Sequence, residues 1–469
     1  MKVLLINPPA FEGVAYVREG RCMQRKGAWT TVWPPISLVS VAAVLRNDGH
    51  EVKLIDGIAS DTSRSQLSQQ IASFKPNAII INTATPSIVG DLSIAKMAKS
   101  IDLKIFTAAF GMHVTALPAE SLELQPELDA CIRGEPEETA RELIHSIAHK
   151  KDLSKVKGIS FRAKKVIHNE DRPFIENLDK LPWPARDLLD KTKYVLPFTG
   201  DIFTTVLVAR GCPFNCTFCE ANKYYGKKFR MRSVNNVVDE LEHLTKEGIT
   251  NFLFWSDTFT ANKKWGMAVC DEILKRGLKI KWVTNSRVDT IDEEFLRKMK
   301  QAGCWMLGFG VESGDQTILN NIRKGITLEK VRSAIGLTKK VGIQTTLHFI
   351  LGLPGETKGT MEKTIRFAKE LDPEFVQFYC AIPYPGTDFG KYAKEQGWVL
   401  DAPWEKYEQL YSILDRPGLS HEDIMKARSR AYREFFMRPS KVLQHIKDIT
   451  SWNALKQTIA TGLSFMDWV

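Results

Sequence analysis

The chain alternates short aliphatic strands with amphipathic helices, and it does so in two series. Five β-branched or aliphatic runs in the first 150 residues end in polar, Gly or Pro residues: 2–9, 51–57, 78–84, 104–111 and 130–135. Helical periods lie between them, and the clearest, 37–49, ends at a glycine. Strands separated by helices run parallel in one sheet, because each helix carries the chain back to the edge where the previous strand began. Residues 1–150 are therefore predicted to form a Rossmann-like, doubly wound α/β domain that binds its ligand beyond the carboxyl ends of the strands.

A second alternation begins near residue 203 and predicts a different architecture. Its six candidate strands are 204–211, 251–257, 281–287, 306–313, 345–352 and 375–383. Six units are too few for an eight-unit barrel and suit an open partial (β/α)6 barrel over residues 201–400. Residues 151–200, rich in Lys, Asp and Pro, are predicted to form a linker with a small hairpin. Residues 401–469 are predicted to form a helical, basic C-terminal region.

The composition excludes several classes of protein. With 43% hydrophobic and 26% charged residues, the chain has the balance of a globular protein. No apolar run approaches the ~18 residues of a membrane helix, and the apolar start, Val3 to Ile6, is shorter than the about 7–15 residues of a secretion signal. Eight cysteines in 469 residues do not form a disulfide framework, so we expect a cytoplasmic protein. The net charge of +10 fits a nucleic acid, an anionic substrate or an acidic protein partner, and composition alone does not choose among them.

Three cysteines, Cys212, Cys216 and Cys219, form a C-x3-C-x2-C motif directly after the first strand of the second series. Active sites of barrels form at that end of the strands. A structural zinc ion would need a fourth protein ligand, whereas an iron–sulfur cluster can bind three thiolates and leave one iron open. The spacing favours a cluster; a zinc site and unligated cysteines are the alternatives. Cys270, Cys304 and Cys380 fall inside helix or strand patterns and are predicted to be buried apolar residues.

The cysteine motif, with Phe218 before its last thiol, resembles that of the radical S-adenosylmethionine (SAM) superfamily. Four further segments are similar to the subgroup with an N-terminal cobalamin-binding domain: GFGVESG (308–314), KGIT (324–327), HFILGLPGET (348–357) and PYPGT (383–387). The resemblance implies a [4Fe–4S] cluster on the three cysteines. Its open iron would chelate the amino and carboxylate groups of SAM and cleave SAM reductively to a 5′-deoxyadenosyl radical.

The resemblance also implies which residues bind SAM. One lies in the cysteine loop and the others lie at the ends of barrel strands: Phe218, Ser256, Asp257, Arg287, Glu312, Ile350 and Gly352. The sequence departs from the family in WSDTF (255–259), where a Gly-Gly-Glu usually binds the SAM amino group. Ser256 and Asp257 would have to supply the acceptors instead. Glu356 is expected to cap a loop.

The first domain resembles a cobalamin-binding domain, and its corrin contacts would lie at the ends of the strands. The implied residues are Asn7, Pro8, Thr83, Thr85, Ser87, Gly111, His113, Gly134 and Glu135. The loop after the first strand, 7–13, has no histidine, so we expect cobalamin to bind without a histidine on the lower face of its cobalt. The alternative is a vestigial sheet that holds no corrin.

The resemblance implies a radical enzyme, most often a cobalamin-dependent methyltransferase that acts on an unactivated carbon. The alternative is a radical oxidoreductase that performs oxidative cyclisation, ring contraction or C–C coupling, with or without bound cobalamin. A tRNA methylthiotransferase would need a second cysteine triad, and the first 150 residues hold only Cys22 and Cys131. A zinc-dependent nucleic-acid-binding module disagrees with the barrel pattern.

Three kinds of partner follow from these expectations. The substrate is expected to be a small molecule, with a lipid or hydrophobic compound as one class, and not a nucleic acid. The basic stretch KYYGKKFRMR (223–232) is either a solvated loop before the helix 233–248, which we favour, or a docking surface for an acidic electron donor of the flavodoxin or ferredoxin type. The basic, aromatic tail 430–469 either caps the open barrel, which we favour, or makes peripheral contact with a membrane.

Overall fold

The N-terminal strands form one sheet, in which the strand order reverses direction once. This computed structural model describes residues 1–19, 24–25, 32–196 and 199–441. In spatial order the sheet contains strands Glu51–Asp56, Lys2–Asn7, Ala78–Asn82, Phe106–Phe110, Ala130–Ile132, Ile159–Arg162 and Val166–His168. The first five are parallel. The order reverses between strands Lys2–Asn7 and Ala78–Asn82, the switch point where such sheets bind ligands.

Helices cover both faces of this sheet. They are Ile36–Asn47, Arg64–Phe74, Ile88–Ile101, Met112–Ala116, Pro118–Leu124 and Pro136–Ala148. Consecutive residues of the first strand therefore enter different cores: Val3 and Leu5 pack on one side, Leu4 and Ile6 on the other. The predicted doubly wound sheet is confirmed, and the helix predicted over 37–49 ends as expected, with Gly49 at φ +78°.

The predicted hairpin of the linker is part of this sheet. Strand Ile159–Arg162 pairs antiparallel with Ala130–Ile132, and Val166–His168 pairs antiparallel with it in turn. Residues 159–168 therefore extend the N-terminal sheet and do not simply connect two bodies. The exact domain borders stay a prediction.

The second sheet has six parallel strands in sequential order, which confirms the open partial barrel. They are Phe203–Leu207, Asn251–Trp255, Lys281–Ser286, Cys304–Glu312, Gln344–Leu351 and Phe375–Cys380. The main helices that follow the first five strands are Val234–Lys246, Lys263–Lys275, Glu293–Gln301, Leu328–Val341 and Lys358–Leu371; Ala221–Tyr224, Gln316–Asn321 and Asp388–Glu395 are shorter. Cys270, Cys304 and Cys380 are buried in the apolar core, as predicted, and burial raises the pKa of Cys270 and Cys380 to about 12.

The last described helix, His421–Phe436, covers the edge strand Phe375–Cys380. The Phe378 N–H donates to Tyr432 Oη (3.0 Å), and Arg428 Nε donates to the Phe378 carbonyl (3.1 Å). These bonds satisfy main-chain groups that an edge strand would expose. Through Lys441 the tail therefore caps the barrel, as favoured from the sequence. The rest of the predicted tail, residues 442–469, lies outside the described residues.

Candidate active site

One cavity of about 480 Å³ runs from the cysteine loop into the barrel. All three motif cysteines line it, together with inward-facing residues of the barrel strands. Val17, Glu19 and Trp33 bring the N-terminal part of the chain to the same cavity, and Tyr432 and Phe436 bring the C-terminal helix. Its size lies within the range of small-molecule sites. The N-terminal part of the chain, the barrel and the C-terminal helix thus all contribute residues to the cavity wall.

Main-chain hydrogen bonds hold the cysteine loop in place. The Gly211 N–H donates to Asp257 Oδ2 (3.0 Å), and the Cys212 N–H donates to the Gly226 carbonyl (3.2 Å). Gly211 has φ +86°, and a Cβ on it would lie 2.2 Å from the Lys228 carbonyl oxygen. Glycine is therefore required immediately before the first cysteine.

The donor set of the loop fits an iron–sulfur cluster. None of the three thiols is in a disulfide bond within the described residues, and burial raises the pKa of Cys216 although Arg287 and Lys324 oppose it. Within the described ranges, no three His, Cys, Asp or Glu side chains are grouped as ligands of a single metal ion. Cluster thiolates bind separate irons, so they need not converge on one point. The chain has one H-x3-H pair of the kind that completes zinc sites, His145 and His149, at the end of the helix Pro136–Ala148 with rings 4.2 Å apart; among the described residues it belongs to no group of three possible metal ligands.

Arg287 lies beside the cluster loop with its guanidinium already paired. Its Nε and Nη2 donate to Asp289 (2.9 and 3.0 Å), and Nη2 also donates to the Lys324 carbonyl (2.7 Å). Its Nη1 lies 4.0 Å from Cys216 Sγ, and its guanidinium carbon lies 3.6 Å from the centre of the Phe214 ring. The predicted SAM contact of Arg287 would therefore use Nη1, the nitrogen that faces the cluster loop.

Glu312 ends the fourth barrel strand in a strained conformation. Its φ of +70° is in the left-handed region, and the strand pairing shifts register between Gly310 and Glu312. The carboxylate accepts a hydrogen bond from Lys324 Nζ at 2.7 Å, and both side chains are buried. A Cβ at Gly310 would lie 2.3 Å from Glu312 Oε1. Such strain is typical of functional sites, and the sequence prediction for Glu312 lacked its partner Lys324, which belongs to the quoted KGIT segment.

The two acceptors predicted after the second barrel strand differ in their surroundings. Asp257 lines the cavity and holds the Gly211 N–H, so it links that strand to the cluster loop. Ser256 is buried, and its Oγ accepts the Thr258 N–H (3.1 Å) within a local turn. Thr258 Oγ1, which was not predicted, lies 3.9 Å from Cys212 Sγ.

Of the remaining predicted SAM contacts, two line the cavity and one lies in a neighbouring loop. Phe218 and Ile350 line the cavity. Gly352 has φ +95°, and its N–H donates to Glu356, which also accepts the Leu353 N–H (2.9 Å). Glu356 is thus the loop cap expected from the sequence, and burial raises its pKa to about 8.

The N-terminal loops contain two buried polar atoms that suit a further ligand. Thr85 Oγ1 and His113 Nδ1 have no hydrogen-bond partner in the described part of the chain. Burial lowers the pKa of His113 to about 4, so its imidazole is neutral, and its ring packs edge-on against Trp404 (4.6 Å). At Gly111, φ is +142° and a Cβ would lie 2.3 Å from the Thr83 carbonyl oxygen. Unpaired buried groups of this kind fit the amide-bearing edge of a corrin.

Other predicted corrin residues are involved in a buried ion pair at the switch point. Arg18 Nε donates to Asp91 (3.0 Å to Oδ2), and Arg18 Nη1 donates to the Pro8 carbonyl (2.8 Å). Asn7 lies 3.5 Å from the same guanidinium, and Ser87 Oγ donates to Asp91 (2.7 Å). These residues build the switch point, and their contact with cobalamin stays a prediction.

Glu135 has partners that the sequence analysis did not foresee. It accepts from Arg210 Nη1 (3.1 Å) and Arg230 Nη2 (2.8 Å), and Glu137 accepts from the same Arg210. The side chains of these four residues are 1–3% exposed. The carboxylate of Glu135 joins the N-terminal domain to Arg210, two residues before Cys212, and its contact with the corrin stays a prediction. The neighbouring Gly134 has φ +71°, a backbone conformation that glycine adopts without steric strain.

Two further carboxyl groups face the cavity. Glu19 accepts hydrogen bonds from Ser37 (3.0 Å from Oγ), and burial raises its pKa to about 7. Glu220 follows the last cysteine and is 8% exposed; burial alone raises its pKa to about 8. The sequence analysis missed both, because neither belongs to a recognisable motif.

The cavity continues inside the barrel because one strand carries glycines there. Gly308 and Gly310 face inward on the fourth strand. A Cβ at Gly308 would lie 2.5 Å from Asn285 Oδ1 and 3.3 Å from His348 Nε2. His348 Nδ1 in turn lies 3.2 Å from Tyr379 Oη. The barrel interior thus presents polar groups to a bound molecule. In a complete eight-stranded barrel the same space is filled by side chains.

The predicted basic docking stretch is less exposed than its charges suggest. Lys223, Lys227 and Lys228 are exposed, but Arg230 and Arg232 are buried in ion pairs with glutamates. Lys228 also pairs with Glu176. Only the lysines can therefore meet an electron donor.

Comparisons with known proteins agree with this geometry. The model of the radical SAM superfamily matches residues 206–368, and that of the B12 binding domain matches residues 28–144. An uncharacterized methyltransferase of Pyrococcus horikoshii is 38% identical over 96% of this chain and 95% of its own length. The anaerobic magnesium-protoporphyrin IX monomethyl ester cyclase of Rubrivivax gelatinosus is 30% identical over 93% of this chain and 78% of its own length.

A solved structure has the same fold. The radical SAM methyltransferase TsrM from Kitasatospora setae, with cobalamin and a [4Fe–4S] cluster bound, superposes with a TM-score of 0.70. The match covers 86% of this chain and 79% of TsrM at 18% identity. Taken with the two family models and the long match to the Pyrococcus relative, this chain belongs to the cobalamin-binding subgroup of the radical SAM superfamily, enzymes whose cofactors are a [4Fe–4S] cluster, SAM and cobalamin.

Proposed function

We propose that this enzyme transfers a methyl group to an unactivated carbon of a small molecule bound in the 480 Å³ cavity. The observation that carries the proposal is the make-up of that cavity. It joins the cluster loop, the carboxyl ends of the barrel strands and residues of the N-terminal part of the chain. When bound, the cluster and SAM supply a radical that removes a hydrogen atom from the substrate, and cobalamin supplies the methyl group.

The chain's own residues would bind and orient these groups. Cys212, Cys216 and Cys219 would hold the cluster. For SAM we propose Arg287 for the carboxylate, with Asp257 and Glu312 as acceptors for its amino group and hydroxyls. Phe218 and Ile350 would supply apolar contacts, and Gly352 and Ser256 would shape the loops beside them.

For cobalamin we propose the loops at the carboxyl edge of the first sheet. Thr85 and His113 support this, since each has an unpaired buried atom. Trp404–Lys406 of the C-terminal region would contribute as well, because this segment contacts Thr85–Ser87. This contribution was absent from the sequence prediction.

The test is a labelling experiment on the anaerobically purified, cluster-reconstituted enzyme. Incubated with cobalamin, trideuteromethyl-SAM and a metabolite extract from cells that lack the enzyme, it should produce 5′-deoxyadenosine, S-adenosylhomocysteine and one product heavier by a deuterated methyl group. The Cys216→Ala enzyme should produce none of the three. A wild-type enzyme that forms 5′-deoxyadenosine with no labelled product would refute methyl transfer.

Oxidative cyclisation is the second candidate, favoured by the 30% identity to the Rubrivivax cyclase. The same experiment separates the two functions. A cyclase would consume SAM to 5′-deoxyadenosine, form no S-adenosylhomocysteine in proportion to product, and lower the product mass by the hydrogens removed.

Partners and location belong to the proposal too. An electron donor of the flavodoxin or ferredoxin type would reach the exposed Lys227 and Lys228. The described residues include no helix with the length and apolar character that a membrane crossing requires. Cytoplasmic location stays a prediction, based on the reducing conditions that free cysteines need. Membrane contact by the tail beyond residue 441 also stays a prediction.

A further inference from the structure

The cavity that begins at the cluster loop continues along the length of the barrel. On the fourth barrel strand, Cys304–Glu312, its lining includes Glu312 at one end and Trp305 at the other. At about 3.3 Å per residue, the strand between these two residues spans roughly 20 Å. On the last strand, the first residue, Phe375, and the later Tyr379 both line the cavity. The space is therefore elongated and reaches far below the ends of the strands where the cluster loop lies.

The two ends of the cavity differ in polarity. Towards the cluster loop, the barrel strands present polar side chains to it, among them Asn285, His348 and Gln377. Towards the starts of the strands the lining side chains are apolar, and we call this part the apolar end: Leu253, Val283, Trp305, Met306 and Phe375. A ligand that fills the whole cavity would have a polar part near the cluster and an apolar part below it.

An irregularity in the sheet adds to the apolar end. Strand pairing shifts register between Trp282 and Val283, which pair with Cys304 and Met306. Trp305 is therefore an extra residue on its strand, as in a β-bulge. Since such a residue departs from strict alternation, Trp305 and its neighbour Met306 both line the cavity.

Gly308 lies at the passage between the two ends. Asn285, Gly308 and Thr346 are register partners on three neighbouring strands and so form one layer of the barrel. A Cβ at Gly308 would lie 2.5 Å from Asn285 Oδ1 and 3.4 Å from Thr346 Cγ2. Any larger side chain at this position would narrow the passage to the apolar end.

We infer that the apolar end of the cavity binds a hydrocarbon arm of the substrate and that Gly308 admits this arm. The inference rests on the proposed function, because it assigns the arm to the molecule that is methylated. Open apolar space in a protein interior lowers stability, and an apolar ligand that fills it gains affinity by leaving water. A neutral hydrogen-bonding group of the same substrate would meet Asn285 or His348 above the arm. The substrate class is thus a molecule with a polar group next to an extended apolar chain.

The test is a chain-length series that measures binding and does not require turnover. The reconstituted full-length enzyme, loaded with cobalamin and saturated with SAM, is titrated calorimetrically with straight-chain primary alcohols from 1-butanol to 1-decanol. In the wild type the affinity should rise about three- to fourfold for each methylene buried, and it should level off once the apolar end is full. In Gly308→Val it should level off at a shorter chain, because the added side chain narrows the passage.

Two further variants make the test specific. Met306→Ala enlarges the apolar end, so its affinities should level off at a longer chain, and it tests the inference by itself if Gly308→Val does not fold. Gly336→Val is the matched control. Gly336 is exposed on the helix Leu328–Val341, and no atom of the described residues lies within 4 Å of the position of its Cβ, so this variant should behave as the wild type does.

The possible outcomes separate the explanations. Wild-type affinity that does not rise with chain length, or that rises without levelling off, overturns the inference. The same levelling point in the wild type and in both cavity variants also overturns it. A tenfold loss of SAM affinity in Gly308→Val with an unchanged levelling point would assign Gly308 to the SAM site instead. If the labelling experiment fails while the chain-length dependence holds, methyl transfer is contradicted and the hydrocarbon subsite stands.

Discussion

The buried ion pairs between the N-terminal domain and the cluster loop should contribute strongly to stability. Glu135 and Glu137 face Arg210 and Arg230, with side chains 1–3% exposed, so two negative charges balance two positive ones. In Glu137→Gln both arginines remain buried and share one carboxylate. Breaking a buried pair in this way costs about 3–5 kcal/mol, since an uncompensated charge stays away from water.

An exposed pair provides the matched control. Arg46 and Asp187 also join sequence-distant segments, 2.7 Å apart, but their side chains are 43% and 64% exposed. Solvent screens such pairs, so Asp187→Asn should cost less than about 1 kcal/mol. Free energies of unfolding from urea titrations of the two variants and the wild type give the comparison.

Hydrogen exchange locates the effect. Arg210 is two residues from Cys212, so amides of the cluster loop should exchange faster in Glu137→Gln and remain unchanged in Asp187→Asn. If Glu137→Gln loses no more stability than Asp187→Asn, the buried network is not what joins the loop to the first domain.

Three other predictions follow from the site. Cys216→Ala should lose the brown cluster absorption near ~400 nm and all SAM cleavage, because each thiolate binds one iron; an active variant would exclude the cluster. The double variant Lys227→Glu, Lys228→Glu should slow turnover with flavodoxin and not with dithionite, because both lysines are exposed and steer an acidic donor; equal slowing with both donors would reject the docking surface. Electron paramagnetic resonance of enzyme loaded with cob(II)alamin should show no axial nitrogen splitting, since the loop 7–13 contains no histidine, and such splitting would refute the prediction.

The strands and the cysteine loop could be predicted from the sequence, because each depends on residues that are close together in the chain. Strand 78–84 has four consecutive β-branched or small apolar residues, so its place in a buried parallel sheet follows from hydrophobic burial alone. The cysteine loop was recognisable because the cluster demands fixed spacing. The ion pair of Glu135 could not be predicted, because its partner Arg210 lies 75 residues away and no periodicity reports such a contact. Glu220 was missed for the same reason, since its burial depends on the packing of several distant segments.

The structure also decides part of what the net charge of +10 left open. Arg210, Arg230 and Arg232 are each buried against carboxylates, and Arg287 and Lys324 of the cavity lining pair with Asp289 and Glu312. The first three charges hold the molecule together, whereas Nη1 of Arg287 faces the cluster loop and is the group proposed for the SAM carboxylate. The exposed lysines of the docking stretch lie on the outer surface instead, where charge steers a partner at a distance. Donor recognition would then rest on the exposed lysines alone, because the arginines of the same stretch are buried against glutamates.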